Sequence, residues 1–249
     1  MLKAVTFDLW GTLMLEASQG VRRTRVERLR RIDAVLREAG IFIELDAIDR
    51  AYDLVGERLT ELWSTLRDTG ARTQVVWLLE ILQVSEQSRP GWLMNRLVDA
   101  YTLPILRDLP LPFEGATDVL STLDSRGFRM AVICNTGRTP GKVLRMILER
   151  LGIGKYLSIQ TYSDEIGLRK PHPEIFRRTL AELGIEPHGA LHVGDTLESD
   201  VAGAQGIGMR AIHLCHPRGA DPKPAEGETI FSLPELLKLM GKNNPGEEK

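Results

Sequence analysis

The stretch Ala4-Val5-Thr6-Phe7-Asp8-Leu9-Trp10-Gly11-Thr12-Leu13 is a short apolar run that stops at a carboxylate and then turns. Two later runs share this design: Met130-Ala131-Val132-Ile133 leads to Cys134-Asn135, and Ala190-Leu191-His192-Val193 leads to Gly194-Asp195. Runs this short and this apolar read as strands buried on both faces, as in parallel sheets. Helical patterns lie between the later ones. Leu144, Ile147, Leu148 and Leu151 share one face, as do Phe176, Leu180 and Leu183. Strand and helix therefore alternate from about Gly115 onward, which predicts an α/β fold with a doubly wound, mostly parallel sheet. Such sheets bind ligands beyond the carboxyl ends of their strands, and the polar residues fall there.

Between Glu16 and Leu109 the alternation is absent. Ile48, Tyr52, Val55, Leu59, Leu62 and Leu66 recur at spacings of four and three, the mark of an amphipathic helix. Leu29, Ile32 and Leu36 predict an earlier helix ending at Gly40. Val75, Leu79 and Leu82 predict a third, and Leu93, Leu97 and Tyr101 a fourth after Pro90-Gly91. The expected organisation is a discontinuous core of residues 1–15 and 110–241 with an all-helical insert at 16–109. Leu109-Pro110-Leu111-Pro112 is the expected return hinge, because each proline bars helix at the residue before it. Trp63, Trp77 and Trp92 read as packing within the insert. Near the end, Thr229-Ile230-Phe231 predicts a last strand, and Ser232 with Glu235 a capping box for a helix carrying Leu236, Leu237 and Leu239. Residues 242–249 are polar and expected to be disordered.

A length of 249 residues with 43% apolar content suffices for one sizeable core and an accessory unit. Lys+Arg number 32 against Asp+Glu 34, so there is no basic excess of the kind a general nucleic-acid binder needs. The basic residues are nevertheless clustered: Arg22, Arg23, Arg25, Arg28, Arg30 and Arg31 fall in one short stretch. A solvated helix face is the first reading of that cluster, and a site for an anionic ligand the second. Cys134 and Cys215 make no disulfide framework, which fits a reducing cytoplasm. The N-terminus opens like a signal peptide but is interrupted by Asp8 and lacks a small-residue cleavage site. No apolar run reaches bilayer-spanning length. The expectation is a cytoplasmic protein with neither membrane nor nucleic acid as partner.

Four pieces carry chemistry, and each also has a purely structural reading. Asp8 ends a buried strand, so its charge needs a cation or hydrogen bonds; Gly11 allows a tight turn, and Thr12 brings a hydroxyl nearby. The same hexapeptide would serve as a turn cap. Gly194-Asp195-Thr196-Leu197-Glu198-Ser199-Asp200 puts a carboxylate at a neighbouring strand end, and Asp8 with Asp195 supplies the pair of oxygen ligands that Mg²⁺ prefers. Alternatively, Ser199 and Asp200 start the helix through Val201 and Ala204. Lys170, followed by Pro171, can neutralise both a nucleophilic carboxylate and a bound phosphate, or it is a surface lysine before a turn. His172, between two prolines, reads as conformational. Cys134-Asn135-Thr136-Gly137 offers small polar groups for oxyanion oxygens, or an ordinary turn.

Taken together and in this order, the four pieces resemble the motifs of the haloacid dehalogenase-like hydrolases. Asp8 to Leu13 looks like the first motif, Asn135 the second, Lys170 the third and Asp195 to Asp200 the fourth. The resemblance implies a Rossmann-like core, and a helical cap where the insert lies. It implies a hydrolase working through an aspartyl intermediate, a Mg²⁺-dependent phosphatase acting on a small phosphorylated metabolite. Asp8 would be the nucleophile, and Asp8, the Trp10 carbonyl and Asp195 would hold the metal, with Asp200 beside them orienting Lys170 or a metal-bound water. Lys170 would balance charge. Thr12, Gly11 and the turn at Cys134, Asn135 and Thr136 would meet phosphoryl oxygens.

Two departures bear on this. Most family phosphatases carry a second Asp where Trp10 stands, and an indole N–H is no general acid at neutral pH. Family dehalogenases also lack that acid, because halide leaves without a proton, so a metal-free 2-haloacid dehalogenase is the enzymatic alternative. The Asp195 carboxylate weighs against it. Cys134 replaces an expected hydroxyl with a poorer donor, which passes the contact to Thr136. A member of the family that binds or regulates without catalysis is the remaining alternative.

Overall fold

The computed structural model describes residues 1–17, 19–217, 219–224 and 227–241, so the expected disorder at 242–249 lies outside the described residues. Six strands form one parallel sheet in the order β5 (Ile159–Tyr162), β4 (Arg129–Cys134), β1 (Ala4–Phe7), β6 (Ala190–Gly194), β7 (Arg210–Leu214), β8 (Thr229–Ile230). The chain builds outward from β1 through β4 to β5, then crosses back to place β6 on the other side of β1. This reversal opens a crevice at the carboxyl ends of β4, β1 and β6.

Side-chain alternation sorts the strands onto two apolar layers. Val5, Phe7, Val132, Cys134, Leu191 and Val193 pack toward α5 (Ala116–Ser125), α6 (Gly141–Arg150) and α10 (Leu233–Leu239). Ala4, Ala131, Ile133 and Ala190 face α8 (Pro173–Leu183), which follows the one-turn α7 (Ser163–Ile166), and the short α9 (Gly203–Gln205). The doubly wound α/β sheet expected from the three apolar runs is the fold observed. β5 and β7 were less conspicuous in sequence, because Gln160, Arg210 and His213 interrupt their apolar character.

Between β1 and α5 the described residues form four α-helices, α1 (Gly20–Glu38), α2 (Leu45–Ser64), α3 (Ala71–Ile81) and α4 (Gly91–Thr102). Their inward stripes (Ile32, Leu36, Ile48, Val55, Leu59, Leu78, Leu97 and Tyr101 among them) form a third apolar cluster, separate from the two beside the sheet. Among the described residues, no helix is long and apolar enough to cross a membrane.

Four local expectations are corrected. Leu111–Pro112 is more than a hinge: it is a strand, β3, paired antiparallel with β2 (Met14–Leu15). The prolines suit this edge position, where no ladder N–H is needed. Leu66 lies beyond α2 in a left-handed turn with φ 58°. Trp92 is exposed, whereas Trp63 and Trp77 pack against the helical cluster as expected, Trp63 also lining the crevice beside the sheet. At α10 the Glu235 carboxylate accepts from the Ser232 hydroxyl (2.9 Å) and the Phe231 N–H (3.1 Å), and the Ser232 side chain makes no capping bond.

Candidate active site

Asp8, Asn135 and Asp195 each follow the last residue of a central strand, and pairing of Phe7 with both Val132 and Val193 brings those ends level. The Asp8 N–H donates to the Val193 carbonyl (2.9 Å), which fixes its carboxylate over the crevice. Lys170 Nζ lies 2.6 Å from Asp8 Oδ1 and 2.6 Å from Asp200 Oδ1, and it is almost wholly buried. Asn135 holds that lysine in place: its Nδ2 donates to the Lys170 carbonyl (3.0 Å), and its Oδ1 accepts from the Lys170 N–H (2.8 Å). Asp8, Asp195 and Asp200 have carboxylate oxygens within 4.8 Å of one another.

Two glycines make this crowding possible. A Cβ on Gly11, which has φ +79°, would lie 2.2 Å from Asp195 Oδ2. One on Gly194 would lie 2.3 Å from the Asp200 carboxyl carbon. Neither approach tolerates a side chain.

The electrostatics follow from three carboxylates facing one ammonium. Burial pushes the Asp8 carboxyl above its ordinary range; Lys170 pulls it down, and Asp200 and Asp195 push it further up. Burial likewise raises Asp195, against the Ala220 N–H that donates to it at 2.7 Å. Asp200 behaves oppositely. Burial works against its charge, but Lys170 and His192 more than offset this and hold it below the usual carboxylate range. Burial also lowers His192. A neutral His192 with Nε2–H toward Asp200 (3.2 Å) leaves Nδ1 to accept the Thr6 hydroxyl (2.8 Å). Asp200 Oδ2 accepts the Thr196 N–H (3.1 Å), so this residue is fully engaged. Ser199 and Asp200 do not start a helix, the alternative reading of this segment, but lie inside the wide turn Leu197–Ala202.

This donor set fits a divalent cation. The donors are hard oxygens, as Mg²⁺ requires, and three clustered carboxylates share the single ammonium of Lys170, which leaves the cluster short of positive charge. Among the described residues Asp8 Oδ2 and the Trp10 carbonyl accept no hydrogen bond, and Asp195 Oδ1 meets only the Thr196 hydroxyl at 3.4 Å.

Three expected contacts are placed differently. Cys134 is completely buried in the apolar layer, with its thiol pushed well up by burial, so its side chain does not reach the crevice. The Thr136 hydroxyl is engaged with Ser163 Oγ (3.1 Å) and Asp68 Oδ2 (3.3 Å), and its N–H donates to Ser163 Oγ (2.7 Å). Thr12 is enclosed, and among the described residues its hydroxyl has no hydrogen-bond partner. His172, read as conformational, accepts the Glu174 N–H at the start of α8 (3.2 Å).

A cluster around Asp68 was not legible in sequence. From the loop after α2, Asp68 Oδ2 accepts from Ser163 Oγ (2.5 Å) and Arg169 Nη1 (2.7 Å). Its Oδ1 accepts from Trp63 Nε1 (3.0 Å), while Arg169 stacks 4.2 Å over the Trp63 ring. The backbones join as well: Asp68 N–H donates to Gly167 O (3.1 Å) and Arg169 N–H to Leu66 O (2.9 Å). The helical layer is thus fastened to the loop that carries Lys170. The only sequence hint was the charge of Arg169 beside Lys170.

The model of the haloacid dehalogenase-like hydrolases matches residues 2–208. The chain is 26% identical to the glyceraldehyde 3-phosphate phosphatase of Pyrococcus furiosus, over 100% of this chain and 97% of that protein. It is 28% identical to the phosphoglycolate phosphatase of Salmonella choleraesuis, over 96% and 93%. A 2-haloacid dehalogenase from Pseudomonas syringae has the same fold, with a TM-score of 0.62 and 24% identity over 96% of this chain and 98% of that one.

Proposed function

The chain belongs to the haloacid dehalogenase-like hydrolases, matched over residues 2–208, and from that premise we propose that it is a Mg²⁺-dependent phosphatase of a small phosphorylated metabolite. The observation that carries the reading is the acid cluster: Asp195 and Asp200 stand within 4.8 Å of Asp8. A halide leaving group has no use for them, whereas phosphoryl transfer depends on a metal there. The phosphatases among its relatives, which span nearly the whole chain, support the same choice.

Asp8 Oδ1 is held by Lys170, which leaves Oδ2 as the attacking atom. The new bond joins Oδ2 to phosphorus, the ester oxygen departs with its electron pair, and water then cleaves the aspartyl-phosphate. Lys170 neutralises charge at Asp8 and the phosphoryl group. Asn135 fixes the lysine backbone, and Asp200, backed by His192, fixes its ammonium. Mg²⁺ held by Asp8, Asp195 and the Trp10 carbonyl would polarise the phosphoryl oxygens. The helices at residues 16–109 act as a cap over the site, and Trp63 and Trp10 form part of its wall.

Hydrolysis of an aryl phosphate with and without Mg²⁺, with Asp8→Asn as control, tests the reading. Turnover that needs both supports it. The one residue that favours dehalogenation is Trp10, and halide release from a 2-haloacid by chelator-treated enzyme would replace the phosphatase reading. Absence of both activities would leave a binding or regulatory role.

A further inference from the structure

Beside the crevice, between α1, α2 and the loop after β4, lies a second cavity of about 270 Å³. Trp10, Glu16 and Gly137 stand on the walls of both spaces, so the two adjoin. Three guanidiniums line it: Arg25, which is paired with Asp49 and Asp53, Arg28 from α1, and Arg138 from the loop after β4. Within the arginine-rich stretch, Arg23, Arg25, Arg30 and Arg31 all pair with carboxylates, as a solvated face would. Arg28 is different. It is buried to 7% exposure, and its bonds go to neutral oxygens: Nη1 to the Tyr52 hydroxyl (3.1 Å) and Nη2 to the Thr139 hydroxyl (3.0 Å). Arg138 donates to the Tyr52 carbonyl (2.9 Å) and lies 4.1 Å over the Tyr52 ring. Both Nε–H groups are buried without a hydrogen-bond partner, and neither guanidinium forms an ion pair among the described residues. Asp108, which also lines the cavity, belongs to Arg23. Glu16, on the wall of the same cavity, acts on Arg28 and Asp53 acts on Arg138, but each from beyond ion-pairing distance, so the two buried Nε–H donors stay unmet, and that is costly unless something repays it.

We propose that this cavity is a second anion subsite, in which Arg28 and Arg138 take an anionic oxygen group, carboxylate or second phosphate, at the end of the substrate away from the phosphoryl group cleaved at Asp8. This rests on the phosphatase reading and narrows it, making the substrate a short molecule with two anionic ends. Planar guanidiniums with free N–H groups suit carboxylate and phosphate oxygens. Trp10, which offers no acid, is the shared wall along which such a molecule extends.

The test pairs phosphorylated hydroxy acids of two to four carbons with analogues whose carboxylate is replaced by hydroxymethyl, and adds the matching α,ω-bisphosphates as a third arm. For the best-fitting length, kcat/KM should favour the dianionic compound by about 10- to 100-fold, the range of a charge-assisted hydrogen bond or two. The carboxylate and bisphosphate arms decide which anion it is. Arg28→Met and Arg138→Met should each bring that ratio close to one, chiefly through KM, and Arg28→Lys should restore part of it. Calorimetric binding of phosphonocarboxylates against plain alkylphosphonates, to the Mg²⁺-loaded wild-type protein, gives a readout without turnover. A preference there, lost in Arg138→Met, upholds the subsite even if no phosphate ester is hydrolysed, in which case the phosphatase reading alone falls. Normal phosphatase turnover with no preference for a second anion, and ratios unmoved by either variant, would overturn the subsite and leave the phosphatase reading standing.

Discussion

Asp8 is the residue on which the chemistry turns, and its surroundings make definite demands. Among the described residues no other carboxylate in the crevice has a free oxygen beside Lys170, so Asp8→Asn should lower turnover by at least about 10⁴-fold while circular dichroism stays native. Retained activity in clean protein would remove Asp8 from its role. Burial raises the Asp8 carboxyl in the metal-free protein, so its ionised form is disfavoured on folding. For an acid shifted upward, stability falls as pH rises from the ordinary value toward the raised one. A cation that binds the ionised form reverses this, and protons compete with it. Mg²⁺ should therefore raise the melting temperature more at pH 8 than at pH 6, and Asp195→Ala should lose the effect. A shift independent of pH would mean that the metal does not engage Asp8. Trp10 sets a further expectation. Without a positioned acid, good leaving groups should outrun alkoxides by about 10²–10⁴-fold. The water step should also lag, giving a burst of phenolate from p-nitrophenyl phosphate in rapid-quench experiments. If Trp10→Asp left both burst and preference unchanged, another group would be supplying the proton.

At the scale of elements, the fastening of helices to sheet matters most. Asp68 has no exposed side-chain surface and meets Arg169, Ser163, Thr136 and Trp63 together. Asp68→Ala leaves Arg169 buried without its carboxylate, and breaking such a pair costs about 3–5 kcal/mol. Urea unfolding should show that loss, and Asp68→Ala/Arg169→Leu should recover part of it, because the stranded charge is gone. If the double variant were no better than the single one, the penalty would lie in the hydroxyls or the loop rather than in the ion pair. Apart from the charge of Arg169, none of these partners was legible along the chain. Trp63 follows the helical spacing of α2 and so reads as interior, yet it sits near the end of the helix where the layer meets the sheet. The strand ends were legible, because an apolar run halted by a carboxylate is a local pattern.

For the whole molecule, the separate apolar cluster of α1–α4 suggests that the sheet with its own helices folds without them. Leu15 and Leu111 are already partners across β2 and β3, so a short turn can bridge residues 16–109. The excised protein should be monodisperse by size exclusion and native by circular dichroism, and less stable because Arg169 loses Asp68. An aggregated product would show that the two layers share one core. The sequence by itself determined the α/β sheet, its helical insert and the strand-end placing of Asp8, Asn135 and Asp195, since these rest on periodicities and stops a few residues long, whereas Lys170 was placed only by the family resemblance. It did not disclose that Cys134 points into the core, that Thr12 is enclosed, that His192 backs Asp200, or that Arg28 is buried against neutral oxygens while Arg23, Arg25, Arg30 and Arg31 pair with carboxylates. Those are matters of which side chain lies opposite. Arg28 meets Thr139, and Asp68 meets Arg169, across about a hundred residues of chain. No local pattern encodes such a meeting; the packing of one layer on another decides it.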